Sequence, residues 1–291
     1  MSAIRTRLAA GRVHFQHGPI DLVIGADGDP TAVAAAIERA WACFVPLLGG
    51  LVAELRLLRR CVEPDDLPAG PVARAMHSAV LPFRPAFVTP MAAVAGAVAD
   101  AIAACFDAPG VARAFVNNGG DIALRLAPGA RPYAIGVALE RGALPGDGAR
   151  GLVLPATLRL AADAPWRGVA TSGRGGRSLS LGIADSVTVV AADGARADAA
   201  ATMIANAVDV DHPGIRRAPA SSLRDDSDLG ERLATVDVSP LPDDAVRRAL
   251  DAGEACARRC VERGLAGAAL LALQGRWRVV GDVAPALARA A

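Results

Sequence analysis

Apolar residues recur three or four positions apart in several stretches of the chain, and each such stretch predicts a helix with one buried face. Two of these stretches follow Asp29-Pro30 and Thr89-Pro90, where a proline suits the first turn of a helix. The predicted helices are Thr31–Phe44, Gly49–Cys61, Val72–Ala79, Pro90–Phe106, Ala195–Val208 and Asp243–Arg263.

Shorter apolar runs bounded by Gly, Pro, Asn or Asp predict strands. The strongest hairpin signal is the turn sequence Asn117–Asp121 between two such runs. Residues 211–231 are polar and irregular, which predicts a loop. The predicted strands are His14–His17, Ile20–Ile24, Val111–Val116, Ile122–Ala127, Tyr133–Leu139, Leu152–Leu160, Gly168–Thr171, Ser178–Ala191, Leu233–Val238, Ala266–Leu273 and Arg276–Val280.

The order of these elements predicts an α+β fold, with mixed sheets flanked by helices, because strands and helices are interspersed without strict alternation. No stretch is rich enough in Gly, Ser or Pro to act as a long linker. We therefore predict a single domain over residues 1–291. The last two predicted strands have an apolar face that would suit a homodimer.

Composition removes several classes of function. The chain has 291 residues, 53% of them hydrophobic, and its 31 basic residues are all arginine. Without lysine there is no Schiff-base lysine and no P-loop lysine, so a bound phosphate must be met by arginine, backbone amides or a metal. A net charge of +1 gives no excess of positive charge for a nucleic-acid partner.

The cysteines and the chain's start predict a cytoplasmic protein. Five cysteines are spread without a C-x-x-C pair, which fits a reducing compartment. The N-terminal residues lack the apolar run of a signal peptide. The apolar run Met91–Phe106 is interrupted by Asp100 and is too short to span a bilayer. No membrane partner is expected.

Two candidate segments combine small residues with a carboxylate. Met91–Asp100 is a helix of mostly Ala and Gly, and a buried Asp100 there needs a partner or a ligand. Small residues also pack helices closely without any further function. Asn117–Asp121 is explained by a turn alone, yet its glycine amides and Asp121 also suit a ligand's phosphate or ring edge.

Two further segments suit an anion and a metal. Thr171–Ser178 has three glycines, two arginines and three hydroxyls, which is the composition of an anion-binding loop and equally of an exposed loop. In Ala197–Asn206, helical spacing places Asp198, Thr202 and Asn206 on one stripe. A carboxylate and a hydroxyl one turn apart are oxygen ligands that Mg²⁺ accepts.

These four segments, in this order, resemble the ApbE-like superfamily, whose best-known members are FAD:protein FMN transferases. The chain is most similar to a functionally uncharacterised branch of it. The resemblance covers about residues 85–210 and rests on Pro90–Gly96, Asn118–Asp121, Gly168–Ser178 and Ala197–Thr202.

The resemblance implies a set of site residues. Asp198 and Thr202 match the side chains that bind Mg²⁺ in the transferases, together with a backbone carbonyl near Ala92 or Ala93, and the metal there holds the FAD pyrophosphate. Asp100 matches the Asp that ends the family's small-residue helix. The positions that match the flavin-contacting turn and loop are Gly119, Gly120, Asp121, Thr171, Ser172 and Gly173, and we add Arg174 and Arg177 as anion contacts.

Two departures bear on catalysis. The transferases usually carry Lys-Gly where this chain has Ala95-Gly96, and nothing between Ser178 and Val187 matches their His-x-x-Asp-Pro segment. We therefore expect binding of FAD, FMN or a similar phosphorylated cofactor with Mg²⁺, and leave open transfer or hydrolysis at a phosphate ester. The alternatives are a non-flavin enzyme or accessory factor in cofactor biosynthesis, for example of a pterin in methanopterin-linked metabolism, and a non-catalytic binding protein.

Overall fold

A computed structural model describes residues 2–137, 156–176, 178–282 and 287–288. The strands are β1 (Ile4–Arg7), β2 (Val13–His17), β3 (Ile20–Gly28), β4 (Val111–Asn118), β5 (Asp121–Leu126), β6 (Tyr133–Val137), β7 (Ala156–Leu160), β8 (Gly168–Ser172), β9 (Ser186–Ala191), β10 (Ile215–Pro219), β11 (Leu233–Val238), β12 (Ala268–Leu273), β13 (Arg276–Gly281) and β14 (Leu287–Ala288). The α-helices are α1 (Pro30–Ala53), α2 (Leu55–Leu58), α3 (Pro71–Val80), α4 (Val94–Ala103), α5 (Gly194–Ala207), α6 (Ala220–Leu223) and α7 (Asp243–Glu262).

The chain divides into two compact units, each assembled from separate stretches. Unit 1 comprises Met1–Pro132, Ala161–Ala170 and Ala191–Ala199, and unit 2 comprises Tyr133–Leu160, Thr171–Val190 and Ala200–Ala291. Strand β8 and helix α5 contribute residues to both. The mixture of sheets and helices confirms the α+β prediction, whereas the single-domain boundary stays a prediction.

Unit 1 is built on an antiparallel meander in which β1 to β5 are neighbours in chain order. Burial alternates along β2 and the start of β3, so one face of the meander supplies the core side chains Phe15, Leu22 and Ile24. Helix α1 packs on β2 and β3, and α4 packs on β4 and β5. The first residues of β8 pair with β5, at Gly168 and Val169.

Helix α1 continues through the gap between the two predicted helices as far as Ala53, and the rest of the second predicted helix is the short α2. The buried positions of α1, Ala36, Ala40, Phe44, Leu47 and Leu51, continue at helical spacing past Pro46, so packing compensates for the hydrogen bond that the proline removes. Among the described residues, α1 alone is long and apolar enough to cross a membrane. Only 17% of its apolar window is buried.

Unit 2 contains β12 between β9 and β13, all antiparallel. Every residue of β9 and β12 is buried, and α7 packs on β12 and β13. The strand predicted over Ser178–Ala191 is shorter than expected: β9 begins at Ser186 and ends at Ala191. The loop predicted over 211–231 holds β10 and α6, since β10 pairs with β11 in a separate two-stranded sheet. The other predicted helices and strands that lie within the described residues are found, with ends shifted by a few residues; residues 138–155 fall outside them.

Candidate functional site

The backbones of α4 and α5 are in direct contact near the first residues of the two helices. A Cβ atom on Gly96 would lie 2.0 Å from the carbonyl oxygen of Gly194, and one on Gly168 would lie 2.0 Å from that of Asp193. Any larger residue would force the backbones apart, so these glycines are required by the close approach. The small residues of the two motifs therefore set how closely α4, β8 and α5 pack.

Asp100 binds the N-terminus of α5. Its carboxylate accepts hydrogen bonds from the amides of Gly194 at 2.9 Å and Ala195 at 2.8 Å, where the helix leaves N–H groups without internal partners. Burial nevertheless raises the pKa of Asp100 to about 6, and the two amides only partly offset it. The predicted need of Asp100 for a partner is met by backbone.

Asp198 lies on the second turn of α5 and faces α4. Its Oδ2 accepts a hydrogen bond from the amide of Gly96 at 3.0 Å. Burial raises the pKa of Asp198 well above its usual range, and the charge of Asp121 raises it further. The amides of Gly96 and Ala95 lower this pKa, and the charge of Asp100 raises it. Asp100, Asp121 and Asp198, here called the carboxylate cluster, therefore repel one another.

The Asn-Asn-Gly-Gly-Asp turn joins β4 to β5 and brings Asp121 to this cluster. Gly119 and Gly120 have positive φ values of 66° and 119°, as a tight two-residue hairpin loop requires. Asn118, which is only 4% exposed, donates from Nδ2 to the carbonyl oxygen of Ala95 at 3.1 Å. Asn118 thereby fixes the turn against α4. We did not predict that role from the sequence, although the residue stands inside the motif.

The donor set suits a cation that keeps water or ligand oxygens. Within the described residues, no group of three or more His, Cys, Asp or Glu side chains is arranged to enclose a metal ion. Both oxygens of Asp100 are engaged by amides. Mg²⁺ is commonly bound through one or two carboxylates, with waters and phosphate oxygens in its other positions. Asp198, with Thr202 one turn later in α5, fits that kind of site.

Asn206, the third residue predicted to share one face of α5 with Asp198 and Thr202, has a structural role. Asn206 accepts a hydrogen bond through Oδ1 from the amide of Leu181 at 3.0 Å. Gly182 follows at a point where a Cβ atom would lie 2.2 Å from the carbonyl oxygen of Ala205. Asn206 therefore fixes the 181–182 segment to α5 in unit 2, which leaves Asp198 and Thr202 as the metal candidates.

The glycine- and arginine-containing loop of unit 2, which begins after Thr171, is held by contacts with other residues of the same unit. Arg174 donates to Oδ1 of Asp185 from Nε at 3.0 Å and from Nη2 at 2.5 Å, so a carboxylate already balances its charge. The hydroxyls of Thr171 and Thr188 are 2.8 Å apart. Gly173 has a φ of 138°, a conformation that favours glycine. Contacts of Thr171, Ser172 and Gly173 with a ligand stay predictions, and Arg177 lies outside the described residues.

The sequence comparisons point to one family. The model of the family described as "AbpE bacteria" matches residues 5–279. A "UPF0280 protein" of Methanosphaerula palustris is 41% identical over 132 residues, or 45% of this chain and 50% of the relative. Another, from Methanothermobacter thermautotrophicus, is 38% identical over 146 residues, or 50% of this chain and 52% of the relative. The chain thus spans about half the length of these curated relatives.

Two solved structures are similar at low levels. The "apbe protein" from Thermotoga maritima has a TM-score of 0.38 and 14% identity, with 97% of each chain covered. The Pseudomonas stutzeri "flavinyl transferase ApbE, apo form" has a TM-score of 0.43 and 13% identity, with 96% of this chain and 95% of that one covered. Neither likeness is close enough to assign a site.

Proposed function

The chain belongs to the AbpE bacteria family, and from this membership we propose that it binds a flavin nucleotide or a similar phosphorylated cofactor together with Mg²⁺. The family match and the UPF0280 relatives confirm the ApbE-like resemblance of the sequence. They leave the ligand, the metal and any reaction to be tested. The proposal concerns the carboxylate cluster and helix α5.

The observation that carries the proposal is the electrostatic state of Asp198. Burial and two neighbouring carboxylates raise its pKa, and the groups that lower it are backbone amides. Buried carboxylates that repel one another are costly unless a proton or a cation compensates them. A divalent cation beside Asp198 would supply that compensation at neutral pH.

Residues of α5 would hold the metal. Asp198 would contribute a carboxylate oxygen and Thr202 a hydroxyl, one turn apart, with Asp121 close enough to act on Asp198 by its charge. A bound Mg²⁺ would supply positive charge to phosphate oxygens, a role that no lysine can take in this chain. The proposal does not depend on Arg174, because Asp185 already pairs with it.

The test is FAD binding with Mg²⁺ or with EDTA, measured by calorimetry and by quenching of flavin fluorescence. We expect Mg²⁺ to tighten binding to the wild-type protein by about tenfold or more, which corresponds to about 1.4 kcal/mol. Asp198→Asn and Thr202→Val should lose this Mg²⁺ dependence. Asp198→Asn should still fold, because it removes a repelling charge and keeps an acceptor for the Gly96 amide.

The matched control is Asp65→Asn, which removes an exposed carboxylate of unit 1 far along the chain from the cluster motifs. It should retain the wild-type dependence on Mg²⁺. FAD binding that is equal with Mg²⁺ and with EDTA in all variants would contradict the metal assignment. No FAD binding, with a pterin found by native mass spectrometry of the purified protein, would favour the cofactor-biosynthesis alternative.

Catalysis is a separate part of the proposal. The segment that matches the His-x-x-Asp-Pro position of the transferases is missing, so we propose binding as the primary function and hydrolysis of the FAD pyrophosphate bond by water as a secondary one. Incubation with FAD and Mg²⁺, followed by chromatography, should show AMP and FMN in equal amounts if cleavage occurs. Recovery of intact FAD would leave a binding protein.

A further inference from the structure

A second charged region lies in unit 1, around a cavity of about 300 Å³. Its walls carry three arginines, Arg113, Arg125 and Arg167, together with apolar side chains that include Phe106 and Leu126. We propose that this arginine pocket binds the phosphate group of a small phosphorylated molecule, at a site separate from the carboxylate cluster. A cavity of this size is at the lower end of the range for small-molecule sites.

Carbonyl groups fix Arg167 in the pocket without neutralising it. Its Nη1 donates to the carbonyl oxygens of Ala164 at 2.5 Å and Trp166 at 2.7 Å, and its Nη2 donates to that of Ala162 at 2.7 Å. These three bonds use part of the five N–H groups of a guanidinium. The head group is therefore held in place before any ligand binds, and it keeps both its charge and further donors.

Arg125 adds a second positive charge close to the first. Its Nη1 donates to the carbonyl oxygen of Leu124 at 3.0 Å. Burial lowers the pKa of Arg167, and the charge of Arg125 lowers it further, which places the two guanidinium groups within effective electrostatic range. Two partly buried like charges repel each other, and an anion between them would remove that repulsion.

The carboxylates near the pocket do not cancel its charge. Arg113 pairs with Asp27 through Nε at 2.5 Å, and Asp107 is an exposed member of the lining. The charge of Asp163 acts on the pKa of Arg167 more weakly than that of Arg125 does. Arg125 in turn is the weakest of the groups that shift the pKa of Asp100. Among the described residues, no carboxylate is hydrogen-bonded to Arg125 or Arg167.

Phosphate is the chemistry that best meets this arrangement. Guanidinium groups bind phosphate and carboxylate oxygens through paired N–H donors, and a dianion balances two of them where a carboxylate balances one. The apolar side chains beside the arginines can contact an organic substituent on the phosphate. An aryl or alkyl phosphate should therefore bind more tightly than inorganic phosphate.

The experiment measures binding of inorganic phosphate and of phenyl phosphate by ³¹P NMR and by the shift in melting temperature, with chloride keeping the ionic strength equal. Wild-type protein should bind both, and phenyl phosphate more tightly. Arg125→Gln should weaken binding by about tenfold or more, because one charge-assisted contact is lost. Arg125→Lys should restore part of the affinity.

Arg74→Gln is the matched control, since Arg74 is an exposed arginine on α3 in the same unit and is absent from the pocket lining. It should bind phosphate as the wild type does. Equal phosphate affinity in Arg125→Gln and Arg74→Gln would overturn the proposal, as would acetate binding as tightly as phosphate. The outcome is independent of Asp198, so Asp198→Asn should bind phenyl phosphate normally even if flavin binding fails.

Discussion

The carboxylate cluster and the arginine pocket both bring like charges together in unit 1, with negative charges in the cluster and positive charges in the pocket. Both gather like charges, and both hold them with main-chain groups: amides face Asp100 and Asp198, whereas carbonyls face Arg125 and Arg167. Strand β5 connects them, since Asp121 begins it and Arg125 follows four residues later on the same face. Hydrogen bonds from backbone groups orient a charged side chain without neutralising it, so a ligand of opposite charge can still do so.

The two regions differ in what shapes them. Around the cluster, glycines allow backbone segments to contact each other directly, so the spacing of α4, β8 and α5 depends on positions that have no side chain. Around the pocket, long side chains reach backbone carbonyls from strands and from the 162–166 segment. Substitutions at the cluster should therefore change the spacing of the backbone segments, whereas substitutions at the pocket should remove individual hydrogen bonds.

The largest effect is expected from Gly96→Ala. The added methyl group would lie 2.0 Å from the carbonyl oxygen of Gly194, so α4 and α5 would have to separate. We expect a loss of about 3 kcal/mol or more in the free energy of unfolding, measured by urea denaturation.

Gly49→Ala is the control for this change, since Gly49 lies inside α1 with nothing within 4 Å of its Cβ position. It should stabilise the protein by about 0.5–1 kcal/mol, because alanine favours helix. Similar effects of the two substitutions would show that the contact of Gly96 with Gly194 does not set the geometry.

A change of pH should affect the cluster more than the pocket. The pKa of Asp100 in the folded protein is about 6, above the ordinary value of 3.8, so the folded state binds more protons than the unfolded state between these values. Stability without metal should therefore be greatest at acid pH and fall by about 3 kcal/mol as the pH rises through this window. The raised pKa of Asp198 acts in the same direction.

Urea denaturation from about pH 4 to about pH 8 measures this slope. Asp198→Asn should flatten it, and Asp65→Asn should not. Stability that rises with pH over this range would contradict the assigned burial of the cluster. Mg²⁺ should flatten the slope in the wild type and in Asp65→Asn but not in Asp198→Asn, since it would replace the proton.

Within the pocket, Arg167→Gln should destabilise more than Arg125→Gln does. The first loses up to three bonds to carbonyl groups, which leaves partly buried acceptors without this donor at a cost of about 1–3 kcal/mol. The second loses one bond and also removes repulsion with Arg167, so its cost should stay below about 1 kcal/mol. Equal losses in thermal denaturation would mean that the carbonyl contacts of Arg167 contribute little.

The sequence identified the cluster but not the pocket, for a physical reason. Local signals such as Asn117–Asp121 and Ala197–Thr202 join a turn or a helix to a carboxylate within a few residues, so their structure can be predicted from spacing. Arg113 and Arg125 lie on the two strands of the predicted hairpin, but Arg167 is far from both in the chain, and nothing local marks it as their neighbour. The pairing of Asp185 with Arg174 was also not predicted, because no short motif joins two residues that lie 11 positions apart.

The contacts at Gly96, Gly168 and Gly194 have a consequence for how such a site changes over evolution. These contacts leave no room for a Cβ atom, so any substitution at Gly96 or Gly168 would have to change the spacing of α4, β8 and α5. The carboxylate side chains around these contacts can be substituted one at a time without changing that spacing. A change of ligand at the cluster would therefore need new side chains and not a new arrangement of the three glycines.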